Sequence, residues 1–441
     1  MLPALISRVT CGDVASDGAE LRRRAHGAAR ALAGVRRVAV DEPDPVHRLC
    51  WLLGAELAGA AALVVDPDWS RRDEVLADAA PEVVVSGAPE PGDPVARRGD
   101  ERTWFYLPTT SGSSGVPKVL VRSRRSWSES FRALDVPLGP DDAVLVPGPL
   151  SSSLFLFGAV HALHGGASLR LLRRWSATAA AAACRDATVV HVVPAMLAAL
   201  LSVWEREPEP RPRLRLVVCG GAAVDAELEA RLHRVLPGCE LLEYYGAAEL
   251  SLVAVRRGEP RLRPVVEVDV RDESGASLPP EVPGALWARS ELVCDGHLRG
   301  GVLVPAAPGW RGVGDRAVRH EDGTVTVLGR AGSVIGTGGH LVAAEEVEAV
   351  LRAVGGVLDV VVAGTPHRRL GALVTAVLEV DPGSPPTRAR LRDATRRLEP
   401  AKRPRRWLVL PELPRTPAGK PARAEVARLL RDGALDAEVP A

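Results

Sequence analysis

Thr109-Thr110-Ser111-Gly112-Ser113-Ser114-Gly115-Val116-Pro117-Lys118 is a run of hydroxyls and glycines ending on lysine, and only three of the 56 basic residues are lysines. Apolar, strand-like runs lie tightly on both sides, at 104–107 and 119–121, which disfavours a plain flexible linker. Hydroxyls and glycines let backbone N–H groups come close to phosphate oxygens, and lysine adds a mobile positive charge. A Walker-type loop needs a glycine directly before its lysine and a helix starting there. Here Pro117 precedes Lys118, and the residues after it are largely β-branched. The stretch therefore reads as a phosphate loop joining two strands.

Outward from the loop, the N-terminal side alternates helix and strand. Helices are expected over 19–32, 45–59 and 71–79, and strands over 37–40, 61–65 and 82–85. Such alternation predicts a parallel sheet covered by helices. A Pro-, Gly- and Asp-rich connector, 87–100, leads into the loop. Beyond it, strands are expected over 144–146, 168–172, 188–193, 215–218 and 240–243, with helices over 177–183 and 195–201. After Gly246 the texture changes to short strands and turns, at 265–270, 285–289 and 324–328, the last following the Asp322-Gly323 turn. Past Gly329 a compact α+β unit is expected, with helices over 345–354 and 387–398 and strands over 357–363, 373–380 and 407–410. The tail after Asp432 reads as loose.

The expected fold class is thus α/β. A large N-terminal domain, residues 1–329, combines parallel-sheet α/β layers with a β-rich subdomain. A small mobile α+β C-terminal domain, residues 330–441, follows. A chain of 441 residues is too long for one compact core.

Composition excludes several function classes. The 56 basic residues are offset by 55 acidic ones, leaving +1, which predicts no nucleic-acid surface. Cys11, Cys50, Cys184, Cys219, Cys239 and Cys294 form no CxxC pair and no metal spacing, so they read as buried small hydrophobes in a reducing compartment. The N-terminus lacks a basic region followed by an apolar run. The longest apolar stretch, 57–65, is too short to span a bilayer. A cytoplasmic protein with no membrane partner is expected.

Further motifs follow the loop in order: Tyr245-Gly246-Ala247-Ala248-Glu249, Gly314-Asp315, Gly329-Arg330, Gly338-Gly339 through Glu346-Val347-Glu348, Ala401-Lys402-Arg403-Pro404, and the stretch from Pro414 to Lys420. Together with the loop they resemble the adenylate-forming superfamily of acyl- and aryl-CoA synthetases, peptide-synthetase adenylation domains and luciferases. The loop is similar to that family's Thr-Ser-Gly-Ser-Thr-Gly-x-Pro-Lys, with Ser114 replacing the second threonine. The others resemble its Tyr-Gly-x-Thr-Glu, Thr-Gly-Asp, hinge Gly-Arg, post-hinge glycine loop and helix, Tyr-Lys-x-Pro, and terminal Pro-x-Thr-x-x-Gly-Lys. Lys118 and Lys420 both fall on these motifs.

The resemblance implies an enzyme that activates a carboxylic acid with Mg·ATP, giving an acyl-adenylate and pyrophosphate. The acyl group then passes to the thiol of coenzyme A or of phosphopantetheine on an acyl carrier protein. Such a reaction asks for charge stabilisation at phosphates more than for acid–base work. The resemblance assigns Thr110, Ser111, Gly112, Ser113, Ser114, Gly115 and Lys118 to the β- and γ-phosphates. It assigns Glu249 to Mg²⁺ as an oxygen ligand, Asp315 to the ribose hydroxyls, and Arg330 to a ribose or phosphate contact. Tyr245, beside Tyr244, would stack on adenine, with Gly246 and Ala248 next to the adenylate. Gly220, Gly221 and Ala222, at the end of a strand, would pass close to adenine or the acyl group. Lys420 would reach the α-phosphate and the attacking carboxylate, following both as a mobile point charge where arginine's fork fits one geometry.

Taken singly, Glu249 and Asp315 also suit surface carboxylates, Arg330 a turn cap and Tyr245 a core position. Lys402 is open between a phosphate or linker contact and solvation beside Arg403, Arg405 and Arg406.

Some positions depart from the family pattern. Ala248 stands where a threonine contacts the adenylate phosphate, a loss on the order of 1–3 kcal/mol if nothing replaces it. Val313 replaces the threonine of Thr-Gly-Asp, and Gly332 and Gly336 replace polar hinge residues. Pro149-Leu150-Ser151-Ser152-Ser153 falls where many relatives carry an aromatic or histidine gate, and it lacks the aspartate that holds an α-ammonium. The expected substrate is therefore an aryl or acyl acid that is not an α-amino acid, with Ser152, Gly221 and Gly246 beside it. His191, on an apolar strand, either lines that pocket or is a core histidine. Two other functions compete: an adenylase handing its acyl group to an amine, and a degenerate nucleotide- or acyl-binding protein.

Overall fold

The computed structural model describes residues 8–440 apart from 68, 70, 111–117, 207–212, 331–333, 338–339, 368–369 and 417–419. The chain forms two units, one built from residues 1–268 and 288–313, the other from 269–287 and 314–441. The strands Asp315–Arg319 and Val325–Arg330 fall in the second unit, ahead of the Gly329-Arg330 boundary read from the sequence.

The first unit holds a nine-stranded sheet in the spatial order Arg263–Pro264, Ser251–Arg257, Glu240–Ala247, Leu216–Gly220, Val189–Val192, Ala143–Val146, Ser168–Leu171, Val9–Cys11 and Val14–Ser16. From Glu240–Ala247 to Val9–Cys11 the strands are parallel, and the edges add antiparallel partners. Strands buried on both faces read as continuous apolar runs, and Val189, Val190, Val192, Leu216, Val217 and Val218 are all buried. A second, eight-stranded sheet places Arg37–Val40, Ala61–Val64, Val83–Val85 and Trp104–Tyr106 in parallel. Antiparallel Lys118–Ser123, Gly296–Arg299 and Val302–Pro305 continue it.

Helix Pro45–Ala58 shows how local chemistry sets such an element. Pro45 opens it, the Asp44 carboxylate accepts from the N–H groups of Val46 and His47, and Gly59 closes it at φ 77°. Gly54 lets helix Gly18–Ala31 approach, because a Cβ there would lie 2.4 Å from the Ala28 methyl.

In the second unit, strands Asp315–Arg319 and Val325–Arg330 end a four-stranded sheet that begins with Glu267–Arg271 and Gly284–Arg289. A five-stranded sheet runs His340–Ala343, Val334–Thr337, Gly371–Val380, Val357–His367, with Arg406–Leu410 parallel to Gly371–Val380. Helices Ala344–Arg352 and Arg388–Ala394 cover it through Val347, Leu351 and Leu391, packed with Val360, Val362, Leu378 and Trp407.

The tail after Asp432 is anchored, contrary to the loose end expected. Val409 and Glu438 exchange backbone hydrogen bonds of 2.7 and 3.0 Å, because Arg406–Leu410 still had free backbone groups along one side. Leu435 and Ala437 pack with Leu408, Leu413 and Leu430. Among the described residues, no helix is long and apolar enough to cross a membrane.

Candidate active site

Strands Thr109–Thr110 and Lys118–Ser123 pair antiparallel, with Thr110 opposite Lys118, so the glycine-rich stretch does join two strands. Ser111, Gly112, Ser113, Ser114 and Gly115 lie outside the described residues. Thr110 is half-buried and Lys118 exposed at the mouth of the hairpin. The period of two puts Lys118, Leu120 and Arg122 on one face. Val119 and Val121 take the other, packed against Leu63 and Leu107.

Tyr245 and Gly246 end the strand Glu240–Ala247, where its register with Ser251–Arg257 shifts. Gly246 is required there, since a Cβ would fall 2.2 Å from the Ser251 carbonyl oxygen. Glu249 is half-buried in the following turn, which is gripped through its backbone. The Glu249 carbonyl accepts from the Cys294 N–H at 2.9 Å, and the Ala248 carbonyl accepts from Arg122 at 2.6 Å. The Glu249 carboxylate makes no hydrogen bond or ion pair among the described residues, although the field of Arg122 reaches it.

Arg122 is 2% exposed and also donates to the Leu292 carbonyl. Burial pushes its guanidinium down to about 10, which leaves it charged at neutral pH. Sequence reasoning passed over Arg122. The available signal was a charged residue alternating with valines on an otherwise apolar strand.

At the carboxyl end of Leu216–Gly220, a Cβ on Gly220 would lie 2.5 Å from the Tyr244 ring, so that ring fixes the glycine. The Tyr244 phenol is pushed well up by burial. Gly221, at φ 84°, and Ala222 are exposed beyond the strand end, the edge where parallel sheets commonly receive ligands. Glu243 was also missed. It is buried, accepts from the Val224 N–H at 3.0 Å and pairs with Arg256 at 2.7 Å, tying this loop to the neighbouring strand. Burial raises its carboxyl group above the usual range. Tyr245 is half-buried and packs against the cluster of Leu250, Val253 and Ala288.

On the acid side, half-buried Ser152 precedes helix Ser153–Gly165. Its neighbour Ser151 donates to the buried Asp66 carboxylate at 2.5 Å. His191 is fully buried, and both ring nitrogens lack a hydrogen-bond partner among the described residues. Its ring lies 6.5 Å from that of His161, which stacks on Phe131 at 5.0 Å. Burial pushes His191 down to about 3 and His161 to about 4, so both imidazoles are neutral. His191 is thus buried with its polar atoms unmatched among the described residues.

In the second unit, Asp315 is buried and opposes Arg330 across antiparallel strands, so two expected nucleotide contacts share one rung. Gly329 has φ 98°, and a Cβ there would lie 2.4 Å from the Glu345 carboxylate. Lys420 is half-buried and doubly bonded to Thr416: its carbonyl accepts from Thr416 N–H at 2.7 Å, and its N–H donates to Thr416 Oγ1 at 3.3 Å. Arg415, next to Thr416, pairs with Asp359 at 3.1 Å and Glu379 at 2.8 Å. Lys402 Nζ pairs with Glu346 at 2.9 Å and Glu399 at 3.3 Å, and Glu346 chiefly holds its ammonium above the usual range.

Residues 74–298 match the family described as AMP-binding enzyme, and residues 346–420 match the AMP-binding enzyme C-terminal domain. YhfT of Bacillus subtilis (strain 168), an uncharacterized acyl-CoA ligase, is 30% identical over 435 residues, covering 90% of this chain and 88% of its own. ATP-bound MatB from Rhodopseudomonas palustris shares the fold, with TM-score 0.84 and 22% identity over 99% of this chain and 98% of its own. The amide bond synthetase McbA from Marinactinospora thermotolerans gives 0.81 and 26% identity over 97% and 98%. The chain belongs to the AMP-binding, adenylate-forming enzymes and is an AMP-forming ligase of the acyl-CoA synthetase type.

Proposed function

We propose that the chain activates an aryl or acyl carboxylic acid lacking an α-ammonium, and passes the acyl group to the thiol of coenzyme A or of a carrier-protein phosphopantetheine. The observation that carries this reading is the hairpin pairing Thr110 with Lys118, on a strand that also grips the Glu249 turn. In adenylation a carboxylate oxygen bonds to the α-phosphorus of ATP while the bond to pyrophosphate breaks. Charge gathers on the leaving pyrophosphate, so the protein must supply donors and positive charge there.

Lys118 and Thr110, with the loop between them, would hold the β- and γ-phosphates. Asp315 would accept from the ribose hydroxyls, with Arg330 on the opposite strand. Tyr244 and Tyr245 would bound the adenine side, and Gly246 and Ala248 the adenylate. Lys420 would neutralise the attacking carboxylate and the α-phosphate. Residues 1–329 and 330–441 would act as the nucleotide-binding and Lys420-bearing domains, with Gly329 as hinge.

Magnesium would come with the nucleotide and neutralise charge between its phosphate oxygens. Glu249 fits it: a half-buried carboxylate with no other bond among the described residues is a suitable single ligand for a hard cation that keeps its waters. Among the described residues, no group of three or more His, Cys, Asp or Glu side chains could hold a metal of its own.

The acid would lie against Ser152, Gly221 and Gly246, whereas the fully buried His191 would be the core histidine of its two readings. Residues 149–153 include no carboxylate, and the buried Asp66 beside them is engaged by Ser151, which supports an acid without an α-ammonium. The buried free cysteines support a reducing cytoplasmic setting. Likeness to McbA supports a second reading, in which an amine takes the acyl group.

Pyrophosphate exchange across a panel of carboxylic acids tests the first step, and one acid class should give exchange. Adding coenzyme A, a pantetheinylated carrier or an amine to the active acid then identifies the acceptor. Lys420→Ala should slow exchange by at least about a hundredfold while sparing thioester formation from a supplied adenylate. Exchange at the normal rate in that variant would remove Lys420 from the first step.

A further inference from the structure

The turn that carries Glu249 is held from behind by one side chain. Arg122 donates from one end of its guanidinium to Ala248 and from the other to Leu292, two carbonyls on separate segments. Two residues beyond Leu292, the Cys294 N–H closes onto the Glu249 carbonyl at 2.9 Å. Gly296, His297 and Leu298 then pair with Val121, Leu120 and Val119, on the strand that begins at Lys118. One strand therefore bears Lys118 at its mouth and, on the same face, the arginine that fixes the Glu249 turn.

A planar fork can bridge two carbonyls in a fixed geometry, which a lysine ammonium or an apolar side chain cannot reproduce. Burying that charge is costly, and a well-packed apolar residue is often as stable or more so. A guanidinium at 2% exposure whose bonds converge on this turn calls for a reason beyond stability.

We infer that Arg122 is a positioning residue for the metal–nucleotide complex: by gripping Ala248 and Leu292 it sets the Glu249 carboxylate in register with Lys118, so that Mg·ATP meets both groups in place. The inference rests on the assignment of Glu249 to magnesium made above.

Calorimetric titration with ATP, once in excess magnesium and once in EDTA, separates metal-dependent from metal-independent affinity. Arg122→Met removes both donors at similar bulk, and Arg122→Lys keeps a charge that holds one carbonyl at a time. For Arg122→Met the Kd for Mg·ATP should rise about tenfold, the worth of one charge-assisted hydrogen bond. Its Kd for metal-free ATP and its KM for the acid should stay within about twofold. Arg122→Lys should show the same split at about threefold, and Glu249→Gln at about tenfold.

Equal weakening in magnesium and EDTA, or no weakening, in an Arg122 variant with native circular dichroism overturns the inference. If Arg122→Met does not fold, the split or its absence in Arg122→Lys decides. No split in Glu249→Gln overturns the metal assignment and the inference with it. A split there without one in the Arg122 variants overturns the inference alone.

Discussion

Lys118, Lys402 and Lys420 separate according to what each side chain meets. Lys402 is neutralised locally by Glu346 and Glu399, which also explains why it lies on a motif without needing a phosphate. The carboxylates are 44% and 71% exposed, and ion pairs of that kind contribute about 0–1 kcal/mol. Lys402→Met should therefore cost less than about 1 kcal/mol in unfolding and leave pyrophosphate exchange within about twofold. A tenfold loss of exchange at unchanged stability would instead restore the phosphate reading. Lys118, by contrast, is exposed and makes no ion pair among the described residues, leaving its charge available to a ligand. At Gly220 the Tyr244 ring occupies the place a side chain would take, so packing alone already requires a glycine there.

Helix Ala344–Arg352 carries the clearest prediction at the scale of elements. Its Glu348 is 1% exposed and accepts from the Val362 N–H at 2.7 Å while pairing with Arg423 at 2.6 Å and Arg352 at 3.2 Å. One carboxylate thus joins the helix to strand Val357–His367 and to the start of helix Arg423–Asp432. Removing one partner of a buried charge network costs about 3–5 kcal/mol because the remaining charges are stranded. Glu348→Ala should lose about that much in urea unfolding of the second unit, and a loss under about 1 kcal/mol would show the network to be dispensable. Elements with self-contained signals were legible in the sequence: helix Pro45–Ala58 has its proline, aspartate cap and closing glycine, and Val189–Val192 its buried β-branched valines. Helix Ser153–Gly165 was not, because Phe155 through Leu163 are all buried and no amphipathic stripe marks the period. Helix Arg124–Leu134 was hidden by buried Arg124, Ser126 and Ser130 on its inner face. Helix Ala226–Val235 could have been found, since Asp225 caps it in the expected way. For the candidate site the division is similar. Arg122 and Glu243 act on backbone groups distant in sequence, so a local pattern marks the charge on an apolar strand and leaves out what it holds.

At the scale of the whole molecule, the core of the first unit holds neutral imidazoles where water cannot solvate a charge. His191 titrates at about 3 and His161 at about 4, burial being the main cause, with His161 adding to the shift of His191 and His164 to that of His161. In the unfolded chain both groups titrate near ~6.5. Above that pH both are neutral whether the chain is folded or not, and their full contribution to stability is present. As pH falls below ~6.5 the unfolded chain binds protons that the folded chain refuses, so stability drops until the folded values are reached. Each pKa unit is worth about 1.4 kcal/mol, so by pH 5 the pair should remove up to about 4 kcal/mol. Glu243 acts in the opposite sense: burial raises its carboxyl, so the folded chain takes up that proton first and recovers part of the loss in the carboxylate range. Urea unfolding at pH 7.5 and pH 5.0 should therefore show a loss of about 2–4 kcal/mol in the native chain. In the double variant His161→Phe, His191→Leu the loss should shrink by more than half, since Phe131 and Phe157 can pack a phenyl ring in place of His161. An equally steep fall in the double variant would assign the acid sensitivity to the carboxylates instead.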